Sequence, residues 1–268
     1  MHHYLSTAIR AVRQASYAII RDSRDLNQLK IKKKPDGTFL TSTDLEVEKH
    51  LVSILHDAYP EHDIFSEESG WSYRRDSPFV WQIDPIDGTH NFIHGVPHYA
   101  ISVALMEMGI VTHSVVYDPN LNEMFTASRG SGAFLNDRRI RVSTCAHISQ
   151  SCISLCTHTA SKYGTGHDIS LLKALDGRVH GVRITGSAAL SLCYVASGRF
   201  DACCGENLKI FDIAAGSLLV TEAGGIASEL IQNKKQNYLE SGNILASSPK
   251  LATILLKILR ESIEPTKL

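Results

Sequence analysis

The chain has 268 residues, 27 Lys+Arg against 28 Asp+Glu for a formal net charge of −1, and 43% hydrophobic residues. That length corresponds to roughly two domains or one large one, and the ordinary globular composition excludes a disordered chain, a collagen-like repeat and a small disulfide scaffold. The charge balance argues against a dedicated nucleic-acid binder, which carries a basic excess or a basic stripe.

Leu5, Ile9, Val12, Ser16, Ile19 and Ile20 recur at helical spacing and predict a helix to about Asp22, capped by Ser6 or an earlier residue. Arg10 and Arg13 interrupt its apolar residues, so the segment does not read as a signal peptide. No stretch reaches the roughly 18 apolar residues needed to span a bilayer, and a cytoplasmic protein without membrane contact is expected. The short basic run Lys30-Ile31-Lys32-Lys33-Lys34 reads as a solvated loop, or as a lysine held beside an anionic site. After Pro35-Asp36-Gly37 a second helix is expected, with Thr43 as its cap and Leu45, Val47, Leu51, Ile54 and Leu55 as its apolar face. It should end near Tyr59-Pro60, because proline disfavours the helical state in the residue before it.

Strands are predicted at 64–66, 79–83, 100–107, 111–117 and 123–127, so the first half reads as helices followed by antiparallel strands. Beyond a soft boundary between Val142 and Gln150 the texture alternates. Strands at 152–155, 182–184, 200–204 and 243–246 intersperse with helices at 169–175, at 211–223 and in a segment capped by Ser187. Gly224-Gly225 stops the 211–223 helix, and Ser248-Pro249 opens a last one. The reading is an α+β half over 1–145 and an α/β half over 146–268, in one compact unit. All six cysteines lie at or beyond position 145 without a CxxC pair and are expected to be reduced. Cys203 and Cys204 read as small strand residues facing opposite ways.

The chemistry concentrates in Trp81-Gln82-Ile83-Asp84-Pro85-Ile86-Asp87-Gly88-Thr89. An apolar strand delivers Asp84, and Asp87 follows three residues on. Two carboxylates held that close repel unless a cation lies between them, and Mg²⁺ with its preference for oxygen ligands is the usual solution. Gly88-Thr89 would then open a helix whose N–H groups face an anion. The alternative is a capped turn without function. Glu67 ends the preceding strand, and Asp212 stands at the start of an apolar helix, where a plain N-cap would need no function. Together Glu67, Asp84, Asp87 and Asp212 suffice for two adjacent divalent metals, which can stabilise both the attacking and the leaving oxygen of an in-line displacement.

In this order the motifs resemble the inositol monophosphatase family of Mg²⁺-dependent, lithium-sensitive phosphatases, in its bacterial type. The series is Thr41-Ser42-Thr43-Asp44, Glu67-Glu68-Ser69, Asp84-Pro85-Ile86-Asp87-Gly88-Thr89-His90-Asn91-Phe92, Gly95-Val96-Pro97 and Gly130-Ser131-Gly132-Ala133-Phe134-Leu135-Asn136. It continues with Gly186-Ser187-Ala188-Ala189, Asp212-Ile213-Ala214-Ala215-Gly216 and Glu222-Ala223-Gly224-Gly225, and spans roughly residues 5–260. The resemblance implies a layered αβαβα sandwich, with metals in the cleft between the halves, and commonly a homodimer. It implies a first Mg²⁺ on Glu67, Asp84 and the Ile86 carbonyl, a second on Asp84, Asp87 and Asp212, and a third, weaker one that also uses Glu67. The N–H groups of Gly88 and Thr89 would bind phosphate. The Thr89 hydroxyl, paired with Asp44, would orient or deprotonate the nucleophilic water. Metal charge would neutralise the developing oxyanions.

The family often places a lysine upstream of the Thr-x-x-Asp segment, and Lys33 and Lys34 match with different gaps. Its substrate-binding glutamate, seven residues before the aspartate matching Asp212, is here Gly205, with Glu206 next door. Ala188 is expected either to line the substrate pocket, together with Glu206 and Asp212, or simply to pack. The leading expectation is hydrolysis of a small polyol phosphate such as myo-inositol 1-phosphate. The Lys34-Pro35-Asp36-Gly37-Thr38 loop also resembles a histidinol-phosphatase branch, and a 3′-phosphoadenosine phosphatase fits less well with Gly95-Val96-Pro97-His98-Tyr99. Some bacterial members serve in RNA-polymerase-associated complexes, so a non-catalytic binding module is the alternative of another class.

Overall fold

A computed structural model describes residues 2–157, 167–231 and 237–263. The chain opens with α1 (His3–Asp22), β1 (Ile31–Lys33), β2 (Phe39–Thr41) and α2 (Ser42–Ala58). Next come β3 (Asp63–Ser66), β4 (Gly70–Tyr73), β5 (Phe79–Asp87), α3 (Thr89–Ile93), β6 (Ala100–Glu107), β7 (Ile110–Asp118), β8 (Glu123–Ser128), β9 (Gly132–Leu135) and β10 (Arg138–Arg139). The second half contains β11 (Cys152–Cys156), α4 (His167–Leu175), β12 (Gly181–Arg183), α5 (Ala188–Ala196), β13 (Ala202–Gly205) and α6 (Ile210–Glu222). It closes with β14 (Ile226–Glu229), α7 (Tyr238–Ser241), β15 (Ile244–Ser247) and α8 (Pro249–Ile263). None of the described helices is long and apolar enough to cross a membrane.

Five layers result. Helices α1 and α2 cover one face of an eight-stranded sheet of order β10-β9-β8-β7-β6-β5-β3-β4, and α5 and α6 cover its other face. The same two helices pack on a five-stranded sheet of order β12-β11-β13-β15-β14, whose outer face carries α4 and α8. Strand β6 shows why both faces are covered. Its Ile101, Val103 and Leu105 enter the core under α1 and α2, while Ala100, Ala104 and Met106 enter the core of α5 and α6. A strand buried on both faces reads as a continuous apolar run, with the alternation hidden. The same logic separates Cys203 from Cys204, which enter opposite cores. All six cysteines are free thiols.

Helix α1 is capped by the His2 ring, which accepts from the Tyr4 N–H at 3.4 Å, so the cap is a residue earlier than Ser6, which lies within the helix. Two local expectations are corrected. The cap of α2 is Thr41, two residues before Thr43. Its hydroxyl accepts from the Asp44 N–H at 3.3 Å and the Asp44 carboxylate accepts from the Thr41 N–H at 2.8 Å, a reciprocal capping box. The Thr43 hydroxyl instead donates to Asp22 at 2.7 Å and ties α1 to α2. Finally, the first half is not wholly antiparallel. Strand β4 folds back along the outer edge of β3, and the chain re-enters on the other side of β3 as a parallel β5.

Two distant motifs of the sequence meet in one contact. The Glu222 carboxylate at the end of α6 accepts from the N–H groups of Gly130 at 2.8 Å and Gly132 at 2.7 Å, fastening the inner helix layer to the turn before β9. Gly216, also in α6, permits close approach to α5: a Cβ there would lie 2.4 Å from the Leu192 Cβ. Gly216→Ala is therefore expected to destabilise the protein by about 1–3 kcal/mol through overpacking. Urea unfolding should show a lower midpoint with an unchanged slope.

Candidate metal and phosphate site

Strand β5 runs past Asp84 to Asp87, further than the strand expected at 79–83. Asp84 pairs with Ser102 and Asp87 with Ala100, so three steps on β5 stand against two on β6. In a regular strand, residues three apart point to opposite faces. The bulge adds one residue and re-aims the chain, which brings both carboxylates to one place. Asp212 arrives from the other half, and single carboxylate oxygens of Asp84, Asp87 and Asp212 lie within 4.8 Å of one another.

Each acid is held differently. Asp87 accepts from the Ser187 hydroxyl and from the N–H groups of Ala188 at 3.2 Å and Ala189 at 2.8 Å, the N-terminal end of α5. Asp212 accepts from the Lys209 N–H at 2.7 Å. Lys209 is the N-cap of α6 and Asp212 its third residue, so Asp212 is not the plain N-cap considered from the sequence. Asp84 is buried, and its Oδ1 has no hydrogen-bond partner. Burial, then Glu67, Asp87 and Asp212, raise the Asp84 pKa well above the carboxylate range. Burial, then Asp87 and Glu67, raise Asp212 likewise. Asp87 is pushed up to about 6 by burial, against the lowering effect of its hydrogen bonds to Ser187, Ala189 and Ala188.

Glu67 stands at the end of β3, where Lys34 Nζ lies 3.0 Å from its Oε1 and 2.7 Å from Glu68 Oε2. Lys34 is thus the lysine at the site, while Lys33 is exposed on β1 in register with Phe39. Burial lowers the Lys34 pKa, but Glu67 and Glu68 outweigh it and hold the amine above its ordinary value. Burial beside Glu67 pushes Glu68 up to about 7. The Thr89 hydroxyl lies 3.2 Å from Asp44 Oδ1 and 3.0 Å from the Ile86 carbonyl. Asp44 is fully buried, and burial pushes it up to about 6. Gly88 adopts φ +97°, and a Cβ there would meet the carbonyls of His98 at 3.1 Å and Gly186 at 3.2 Å, so this turn requires glycine.

These groups surround one cavity of about 450 Å³. Among the described residues, Glu67, Asp84, Ile86, Asp87, Gly88, Thr89, Ala188 and Asp212 line it, as do Phe39, His90 and Asn91. Glu206 is buried at the end of β13 and is not among the lining residues. Position 205 is closed to a side chain: a Cβ there would lie 2.8 Å from Leu208 Cδ1, 2.9 Å from Cys156 Cβ and 3.0 Å from the Cys156 carbonyl. The Ser187 hydroxyl does more than cap α5: it donates to Asp87, a role signalled in the sequence only by its place beside Ala188-Ala189. Glu68 shares Lys34 with Glu67, a role signalled only by their adjacency.

A model of the Inositol monophosphatase family matches residues 1–264. The chain is 41% identical over 259 residues to a putative Nus factor SuhB of Neisseria meningitidis serogroup B, covering 97% of this chain and 98% of that protein. It is 38% identical over 264 residues to the Nus factor SuhB of Escherichia coli K12, covering 98% of each. Among solved structures, the extragenic suppressor protein suhB of Bartonella henselae superposes with a TM-score of 0.92 at 34% identity, covering 97% of this chain and 99% of that one. The Thermotoga maritima IMPase superposes at 0.88 with 31% identity, covering 98% of each chain.

The acid cluster has a measurable consequence without any ligand. Its pKa values are raised in the folded state, so folding takes up protons. That contribution to stability is fully present below about pH 4, the ordinary aspartate range, and is lost as pH rises through about 6, where Asp87 ionises, and beyond. Thermal unfolding in EDTA should therefore lose Tm relative to protein with a divalent cation present as pH rises from 5 to 8. Asp212→Asn should raise the Tm in EDTA, by about 2–4 °C per kcal/mol of repulsion relieved, and shrink any gain on adding a divalent cation.

Proposed function

The chain belongs to the inositol monophosphatase family, and on that footing we propose that it is a Mg²⁺-dependent phosphomonoesterase acting on a small polyol phosphate. Myo-inositol 1-phosphate is the reference substrate. The observation that carries this reading is the convergence of Asp84, Asp87 and Asp212 in the lining of one cavity, with a buried Asp84 oxygen left without a partner. Buried, mutually repelling oxygen donors fit hard divalent cations. When bound, two or three such ions would acidify a water and offset charge on the phosphate oxygens.

The protein's own residues have distinct tasks in this reading. Glu67, Asp84 and the Ile86 carbonyl hold a first ion; Asp84, Asp87 and Asp212 hold a second; Glu67 contributes to a third. Lys34 neutralises Glu67 and Glu68 while the ions are away. The Thr89 hydroxyl, donating to Asp44, keeps its oxygen lone pairs available to accept from the attacking water. Asp44 is fixed by the capping box of α2 and so keeps one orientation. The N–H groups of Gly88 and Thr89 receive the phosphate. Ala188, which lines the cavity, belongs to the substrate side, whereas Glu206 does not line it.

A second reading is favoured by the relatives named Nus factors, which align over nearly the whole chain. In it the chain is a partner of the transcription machinery and hydrolysis is dispensable. The two readings separate at Asp87, because Asp87→Ala should abolish hydrolysis while leaving a binding role intact.

The deciding assay is phosphate release from inositol 1-phosphate, histidinol phosphate, fructose 1,6-bisphosphate and 3′-phosphoadenosine 5′-phosphate, with Mg²⁺, EDTA or added Li⁺. Mg²⁺-dependent, EDTA-abolished release is expected, and no release from the folded, metal-loaded protein would overturn the phosphatase reading. Thr89→Ala and Asp44→Asn should each lower kcat by about 10²–10⁴-fold with little change in KM, the range for losing a positioned proton-transfer group.

A further inference from the structure

Asn91 lies in the same motif as Asp84 and Asp87, yet none of the steps above uses it. Its side chain spans the two halves of the molecule. The amide nitrogen Nδ2 donates to the His98 carbonyl at 2.8 Å and to the Thr185 carbonyl at 2.8 Å. His98 belongs to the turn between α3 and β6 in the first half, and Thr185 to the loop between β12 and α5 in the second. A primary amide carries two N–H donors, so both are satisfied, one on each half.

Gly186 packs closely against this amide. It has φ +80°, and a Cβ there would lie 2.9 Å from Asn91 Nδ2 and 3.1 Å from Oδ1. Gly88 abuts the carbonyls of the same two segments, those of His98 and Gly186. The segment held by Asn91 continues directly into Ser187, Ala188 and Ala189. Among the described residues, those three supply the hydrogen bonds to the Asp87 carboxylate. Asp87 is thus anchored to β5 in one half and held by donors from the other.

We infer that Asn91 is a positioning residue: by bridging His98 and Thr185 it holds the 185–189 segment where it orients the Asp87 carboxylate for divalent metal binding. This inference rests on the metal-site reading above but does not require turnover. Asn91→Asp is the diagnostic change. It preserves shape but replaces the two donors with a carboxylate facing two carbonyl oxygens, so the contact turns from attractive to repulsive.

The test titrates Mn²⁺ alone into the metal-free protein by calorimetry and by the loss of its free-ion paramagnetic signal. Wild type, Asn91→Asp, Asn91→Ser and Leu255→Ala are compared. Leu255 is buried in α8, in the outer core remote from the cavity, and serves as a destabilised control. The expected result is that Asn91→Asp weakens one class of Mn²⁺ sites tenfold or more and leaves the other within twofold, while Leu255→Ala alters neither. Asn91→Ser should fall between wild type and Asn91→Asp, and carries the test if Asn91→Asp does not fold. In turnover, excess Mg²⁺ should restore part of the lost kcat, with KM changed less than kcat. Wild-type Mn²⁺ binding in Asn91→Asp would overturn the inference. So would a parallel loss of all sites and of stability in every variant, Leu255→Ala included. If wild type binds Mn²⁺ but hydrolyses no ester, the phosphatase reading fails while the inference stands or falls on the titration; if wild type binds no Mn²⁺, both fail.

Discussion

Repulsion among buried and half-buried carboxylates is the constraint around which this molecule is arranged. Asp84, Asp87 and Asp212 sit within 4.8 Å of one another, with Glu67 close enough to raise the pKa of each. Burying like charges is unfavourable unless they are paired or hydrogen-bonded. The protein supplies part of the compensation: three donors at the start of α5 for Asp87, the Lys209 N–H for Asp212 and the Lys34 amine for Glu67. The Asp84 Oδ1 receives none. A site that remains short of positive charge after the fold has contributed what it can is one whose free energy falls when cations bind, and metal affinity is the other side of that unmet repulsion.

Holding such a cluster requires rigidity on both sides of the cavity. Strand β5 lies inside the large sheet between β3 and β6, so its bulge cannot relax by fraying. The inner helices α5 and α6 face it with their N-terminal ends, where backbone donors and the helix dipole favour negative charge. Their close packing depends on small residues, including Gly216 against Leu192. Glu222, gripping the N–H groups of Gly130 and Gly132, fixes the far end of α6. Motifs separated by more than a hundred positions therefore serve one purpose, the placement of two helix starts opposite one strand end.

Much of this was legible from residues alone because the strongest signals are local. Asp84 at the end of an apolar run, glycine and threonine after Asp87, Ser187 before a helix and Pro249 opening another each state a backbone requirement within a few residues. The ordered motifs then connect them, and the layered fold follows the family resemblance. What stayed hidden depends on partners distant in sequence. The bulge between Asp84 and Asp87 exists only relative to β6. The parallel pairing of β3 with β5 depends on β4 occupying the outer edge. Thr43 looked like the cap of α2 because threonines at 41 and 43 are equivalent in propensity, and only the Asp22 contact distinguishes them. Lys33 and Lys34 are likewise equivalent by spacing, and only the fold shows that Lys34 is the one whose amine reaches Glu67.

The division between reaction and selectivity follows from the same geometry. In the proposed phosphatase reading, the acids, the Thr89–Asp44 pair and the glycine turn at 88 would act on whatever carries the phosphate, and they say nothing about the alcohol. The alcohol would meet a different wall, built from the 184–188 segment, Cys156, Thr157 and Leu208. Here this chain departs from the family pattern that places a glutamate at the position of Gly205. The departure is steric as well as chemical, because Cys156 and Leu208 already occupy the space that a Cβ at 205 would need. A glutamate could not be restored there without moving both neighbours. Any polar contact from this strand end must therefore come from a residue other than 205. That separates the substrate question from the metal question: the first depends on how β13 ends, and the second on how β5 bends.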